Sequence, residues 1–209
     1  MNENDSKPLE HPGHVGLSAD AQGIGDFLRA MVQMVRPKKL LTIGTGYTTQ
    51  FLNEGLINNK RVLDDGNLDR EYIENYRHDP KLIIVDDAPI EVIKDHPGMM
   101  NVLTSNYVEI FEGNFQENSK ELIQKYGEFD FVWFACNSSD EYKIFFQQYW
   151  DACSHYVICH FKFLNGKPIR ELSFFLNKNR SKIFKIDIVE PDQRHPSNIA
   201  IIQKDISKL

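Results

Sequence analysis

The stretch Lys39-Leu40-Leu41-Thr42-Ile43-Gly44-Thr45-Gly46-Tyr47-Thr48-Thr49 decides the fold. Its first five residues form a short apolar run ended by a glycine, the pattern of a strand buried on both faces. Gly44-Thr45-Gly46 breaks that strand, and Thr48 to Leu56 reads as a short helix. Glycines at a strand-to-helix junction let the backbone pass close to a ligand without a Cβ clash. The helix N-terminus that follows favours a negative group such as a carboxylate. An ordinary tight turn uses the same residues, so the motif gains weight only from where it stands in the chain.

Working outward, Ile24, Phe27, Leu28, Met31, Val32 and Val35 repeat at helical spacing and predict a helix over about 18–35. Ser18 or Asp20 is its cap and Pro37 ends it. Downstream, Lys81 to Val85, Tyr107 to Phe111, Phe129 to Phe134 and His155 to His160 read as strands. Helical stretches alternate with them at Pro89 to Lys94, Glu117 to Tyr126, Asp140 to Ala152 and Pro168 to Arg180. Ile183 to Val189 and Asn198 to Ile202 close the chain as two strands joined by a short loop, which predicts an antiparallel hairpin. Strands alternating with helices imply right-handed crossovers and a parallel sheet covered on both faces. The expected fold is therefore α/β, a Rossmann-like doubly wound seven-stranded sheet, mostly parallel with a C-terminal antiparallel hairpin.

The 209 residues fit one domain, and 41% hydrophobic with 26% charged residues sustains a sizeable core. Residues 1–15 read as a flexible N-terminal lead-in or lid, and 16–209 as a single domain with a polar insertion at about 58–80. That insertion is either a solvated excursion or a substrate lid. A net charge of −6 without a run of Lys and Arg argues against a nucleic-acid partner. No apolar run approaches the ~20 residues of a membrane span, and Met1 to Pro12 is too polar for a signal peptide. Three cysteines, Cys136, Cys153 and Cys159, make no disulfide framework and fit a reducing compartment, so a cytoplasmic location is expected.

In such a sheet, ligands bind at the carboxyl ends of the strands where the strand order reverses. The second strand ends in Asp86-Asp87. A carboxylate there can hold both hydroxyls of a ribose, while Asp87, just before Ala88-Pro89, is placed to cap the next helix. After the third strand, Asn114 is positioned to bond an adenine amino group and Phe115 to cover a ring; a plain turn with a buried aromatic uses the same pair.

Taken together these residues resemble the class I S-adenosylmethionine-dependent methyltransferases. They are most similar to the small O-methyltransferase branch that includes the catechol and caffeoyl-CoA enzymes. Gly16 to Gly23 resembles that branch's first helix, and Leu41 to Thr48 its first motif. Glu112 to Glu117 resembles the adenine-side motif, and Phe129 to Phe134 the fourth strand. The resemblance covers about residues 16–203. It implies S-adenosylmethionine as cofactor, with its methionine part over Gly44, Thr45 and Gly46. Thr42 and Tyr47 flank that part, Asp86 takes the ribose, and Asn114 with Phe115 flank the adenine. Ala135 to Asn137 and Tyr142 then face the sulfonium and a small-molecule substrate. A homodimer is the family-like expectation.

Three departures matter. Thr42 stands where the branch usually has Glu. Ala135 stands at the branch's metal-binding Asp, and Cys159-His160 at its Asp-Asn pair. Ala supplies no ligand for a hard cation, so no catalytic metal is expected, and a Cys-His zinc site needs more ligands than this segment holds. The 40 positions from Gly46 to Asp86 exceed the roughly 20 typical of a glycine turn and its ribose carboxylate, the excess being the insertion. Without a metal to acidify the nucleophile, a side-chain base is called for. His160 is the candidate base, histidine being the residue type that ordinarily changes charge near neutrality, with Tyr47, Asn137 and Tyr142 as orienting groups; a histidine satisfied at a strand end is the plainer reading. The expected activity is metal-independent methylation of a small molecule at oxygen or nitrogen. Rival readings are intramolecular cyclisation or lyase chemistry releasing methylthioadenosine, and a non-catalytic nucleoside-binding protein on the same scaffold. A nicotinamide-dependent oxidoreductase is disfavoured, because the third glycine of that fingerprint is missing.

Overall fold

The computed structural model describes residues 19–66, 68–75, 79–96, 98–135, 138–160, 163–164, 167–188 and 198–204. Five strands run parallel: β1 (Lys39–Ile43), β2 (Lys81–Asp86), β3 (Val108–Glu112), β4 (Phe129–Ala135) and β5 (Cys153–His160). A two-residue hairpin follows, β6 (Phe163–Leu164) with β7 (Lys167–Pro168). The chain closes with β8 (Ile183–Ile188) and β9 (Ile199–Lys204), which pair antiparallel. The sheet order is β3-β2-β1-β4-β5-β9-β8, so the expected seven strands, their mostly parallel sense and the closing hairpin are all present. The small β6–β7 hairpin was not foreseen; its six residues carry too little periodicity to read.

Eight helices cover the sheet among the described residues: α1 (Ala19–Val35), α2 (Thr49–Asp64), α3 (Arg70–Asn75), α4 (Ile90–Ile93), α5 (Met99–Leu103), α6 (Ser119–Tyr126), α7 (Ser139–Gln148) and α8 (Arg170–Lys178). The central strands are apolar at nearly every position because both their faces are covered. One face carries Leu41, Ile43, Val132, Phe134, Val157 and Cys159, with Tyr142 and Phe145 of α7 and Leu172 of α8. The other carries Leu40, Phe131, Trp133 and Ile158, with Leu28 and Val32 of α1 and Leu52 and Leu56 of α2. Alternation along each strand sends neighbouring residues to opposite faces. The start of the sheet is pinned by Asp130, whose two carboxylate oxygens accept from the backbone N–H groups of Lys38 and Lys39, each at 2.8 Å.

The chain departs from the sequence reading after the glycine turn. Helix α2 does not stop near Leu56 but runs to Asp64, so it takes up the start of the stretch read as an insertion. Leu63 continues the buried stripe of the helix, and buried Asn59 donates from its amide to the Val32 carbonyl at 3.1 Å. Polar composition hid this: an amide with one specific partner reads as a loop residue. Much of the remaining stretch is exposed, with α3 as a single short helix whose Tyr72 hydroxyl accepts from Arg36 at 2.7 Å. Helix α5 stands in a stretch whose sequence predicts no element.

Helices α1 and α2 run side by side in the same direction. Arg29 bonds Glu54 at 3.1 Å, and Val32 lies beside Gly55 and Asn59. A Cβ at Gly55 would come within 2.8 Å of the Val32 side chain, so only glycine permits this approach. The beginning of α1 therefore lies at the rim where α2 begins, beside the glycine turn. The expected lead-in or lid at 1–15 lies outside the described residues.

Two measurements check this packing. Phe134 is fully buried, stacked on Phe145 at 4.3 Å and edge-on to Tyr142 at 5.1 Å. Phe134→Ala is expected to lower the free energy of unfolding by about 3–5 kcal/mol in urea titration, and a loss under about 1 kcal/mol would show a looser core. Cys153 and Cys159 are buried, and burial pushes the Cys153 thiol up to about 12. Only the thiolate reacts, so both should resist a thiol reagent at pH 8 until denaturant is added. Prompt reaction of all three cysteines in the native protein would contradict the placement.

Candidate functional site

The sheet order reverses between β1 and β4, and the exits of these two strands frame a narrow crevice. Its walls are Ile43, Gly44, Thr45, Gly46 and Thr48 from the β1 turn, with Trp133 and Ala135 from β4. Gly44 has φ +86° and donates its N–H to the Val85 carbonyl at 2.8 Å, which bends the chain out of the sheet. No atom lies within 4 Å of where its Cβ would be, so the space above this glycine is open. The turn then closes into α2 through Gly46 N–H donating to Thr49 Oγ1 at 3.2 Å and Thr49 N–H donating to the Gly46 carbonyl at 3.0 Å.

Asp86 holds this corner together. One carboxylate oxygen accepts from both the N–H and the hydroxyl of Thr45, each at 2.6 Å. The other accepts from the Ala88 N–H at 2.8 Å, an Asx-type turn. The Asp86 carbonyl also accepts from Gly113 N–H at 2.7 Å, linking the exit of β2 to the exit of β3. Of the expected division of labour, Asp86 for a sugar and Asp87 for a helix cap, the structure corrects the cap at Asp87. Asp87 is exposed, and α4 starts after Pro89 without a side-chain cap. Asp86 itself makes the local turn, because its strand-end position aims the carboxylate across the chain rather than along it.

The remaining predicted residues fall into three groups. Around the crevice, Thr42 is buried with its hydroxyl donating to the Gly44 carbonyl at 3.3 Å. Tyr47 is half-buried at the rim, edge-on to Phe51 at 5.3 Å. Ala135 lines the crevice. At the exit of β3, Asn114 accepts from Gln116 N–H through its side chain at 2.8 Å. Phe115 meets Phe134 edge-on at 5.7 Å, and its carbonyl accepts from the Tyr149 hydroxyl at 2.6 Å. Burial pushes the Tyr149 phenol well above its ordinary value, so its hydroxyl stays a donor at any working pH.

The third group lies away from the crevice opening. Tyr142, expected to face a substrate, is fully buried on the α7 face, and its hydroxyl donates to the His160 carbonyl. The apolar α7 stripe Tyr142, Phe145 and Phe146 draws it inward, so the structure corrects its expected place. His160 is also fully buried, its ring stacked on Trp133 at 5.3 Å and 27°. Cys159 and His160 are successive on β5 and point to opposite faces, so the pair cannot close on one zinc ion. Among the described residues no group of three or more His, Cys, Asp or Glu could hold a metal. Asn137 and Cys136 lie outside the described residues.

Trp133, buried in the core on the α1–α2 face, also forms one crevice wall and the platform for His160. The available signal was its place two residues before the end of β4, at the reversal of strand order. A wider groove of about 350 Å³ lies between α7 and α8, lined by Phe146, Trp150, Phe174 and Phe175. It sits on the outer surface and not at the strand ends, so the smaller crevice is the one placed for ligand chemistry.

No family model and no curated protein matches this sequence. Solved structures do match its shape. An O-methyltransferase from Bacillus cereus, in complex with S-adenosylhomocysteine, superposes with TM-score 0.61 at 14% identity, over 91% of this chain and 83% of that one. The O-methyltransferase TomG from Streptomyces achromogenes, in complex with S-adenosylmethionine, gives 0.59 at 13% identity, over 90% and 81%. A methyltransferase from Podospora anserina, bound to S-adenosylhomocysteine, gives 0.58 at 15% identity, over 87% and 78%. At such identities the likeness is one of fold, and the chain shares the Rossmann-like fold of these methyltransferases.

Proposed function

We propose that this chain binds S-adenosylmethionine across the exits of β1, β2 and β3 and methylates a small molecule at oxygen or nitrogen. The observation that carries the reading is a carboxylate at the end of β2 fastened beside an open, positive-φ glycine turn at the reversal of strand order. Bound there, the cofactor supplies an electrophilic methyl group. Gly44 leaves its backbone bare for the methionine end, and the first N–H groups of α2 favour the carboxylate of that end. Asp86 has about four acceptor sites, so ribose hydroxyls add to the donors it already serves or displace the Thr45 hydroxyl. Asn114 and Phe115, at the next strand exit, flank the base.

Among the described residues, the donor set around the crevice supports chemistry without a metal. Ala135 carries no ligand atom, and Cys159 is turned into the opposite core. His160 remains the candidate base by position. It is paired in register with Ala135 at the end of β5 and shielded by Trp133, so base catalysis requires the crevice to open toward its ring. The acidic balance of the chain favours a neutral or cationic substrate.

Titration calorimetry with S-adenosylhomocysteine tests the reading. The wild type is expected to bind, and Asp86→Asn, which keeps an acceptor for the turn, to bind at least about tenfold more weakly, close to 1.4 kcal/mol. Unchanged far-UV circular dichroism shows that the variant folds. No heat from the wild type, or equal affinity in the variant, contradicts the proposal.

A further inference from the structure

Strand β8 ends the sheet, so beyond its pairing with β9 it has a free edge among the described strands. It pairs with β9 over all six residues in unbroken register, from Ile183 opposite Lys204 to Ile188 opposite Ile199. Natural edges of that length are usually blunted by bulges, prolines or inward charges. Here Phe184, Ile186 and Ile188 share one face and are 62%, 62% and 44% exposed. Their cross-strand neighbours on that face, Ile201 and Ile199, are buried. The apolar face therefore continues past the point where the helical cover stops. Along the other face, Lys185 and Asp187 form an ion pair at 2.6 Å.

This six-residue pattern is self-complementary. If a second β8 lies antiparallel with Ile186 facing its own copy, Lys185 of each strand faces Asp187 of the other. Phe184 then faces Ile188 twice. A two-fold axis through Ile186 thus places opposite charges opposite each other on one face and apolar side chains opposite each other on the other face, the arrangement that stabilises cross-strand pairs. A register shifted by one residue would put charges against apolar groups.

We propose that a second copy of this chain docks here, β8 against β8 about an axis at Ile186, joining two sheets into one. The occupant follows from that charge complementarity, since a polar or singly charged partner strand would leave Lys185 or Asp187 without an opposite charge across the strand. A single edge pairing buries less than the ~1,200 Å² of a standard interface, so the dimer is a weak, concentration-dependent one.

Sedimentation equilibrium from about 1 to 100 µM tests the proposal, with dissociation constants read directly. The wild type is expected to dimerise within that range. Lys185→Asp sets carboxylates against carboxylates and is expected to weaken the dimer at least about tenfold, and adding Asp187→Lys to restore it. Ile186→Lys places two ammonium groups on the axis and should leave only monomer. Circular dichroism and thermal melting confirm that each exposed-site variant folds. A wild type that stays monomeric throughout, an Ile186→Lys variant that still dimerises, or a double charge swap that fails to recover association overturns the proposal.

Discussion

The Asp86 carboxylate is the contact on which the candidate site depends. Through Thr45 it holds the exit of β1, through Ala88 it shapes its own exit, and its backbone carbonyl holds the exit of β3. Three loops that would otherwise move independently share one anchor. Hydrogen bonds to a charged acceptor are worth roughly 1.5–3 kcal/mol, more than neutral ones, which makes such an anchor effective at a half-open rim. In the proposed reading the same oxygen atoms also hold a bound sugar, so structure and recognition would compete for one carboxylate and binding would be coupled to how tightly Thr45 is held.

Behind this rim the sheet supplies rigidity. The two faces divide the β4 and β5 side chains cleanly: Phe134 and Cys159 go to the α7 core, Trp133 and His160 to the side of the crevice. That division explains why Cys159 and His160, adjacent in sequence, cannot act together on one ion. It also explains why Tyr142 serves as an inner strut, with its hydroxyl on the His160 carbonyl, while His160 itself backs the crevice wall.

Much of the fold was legible because it rests on local, repeating signals. Apolar runs at Leu40, Ile83, Val132 and Val157 marked the central strands, and the spacing from Ile24 to Val35 marked α1. The extent of α2 was not legible, since Asn59 is polar in sequence and becomes a core residue only through the Val32 carbonyl, a contact far away along the chain. At the candidate site, the placement of Gly44 and Asp86 at neighbouring strand exits was legible from position alone. The Thr45–Asp86 bond, the failure of Asp87 to cap, and the role of Trp133 depend on how separate strand exits meet, which no local pattern encodes.

A crystal structure with S-adenosylhomocysteine bound tests the central claim most directly. The account predicts the amino-acid end over Gly44 to Gly46 and both ribose hydroxyls within hydrogen-bond distance of Asp86, with the Thr45 hydroxyl sharing or leaving that carboxylate. A nucleoside seated elsewhere, with Asp86 still bonded only to Thr45 and Ala88, would contradict it.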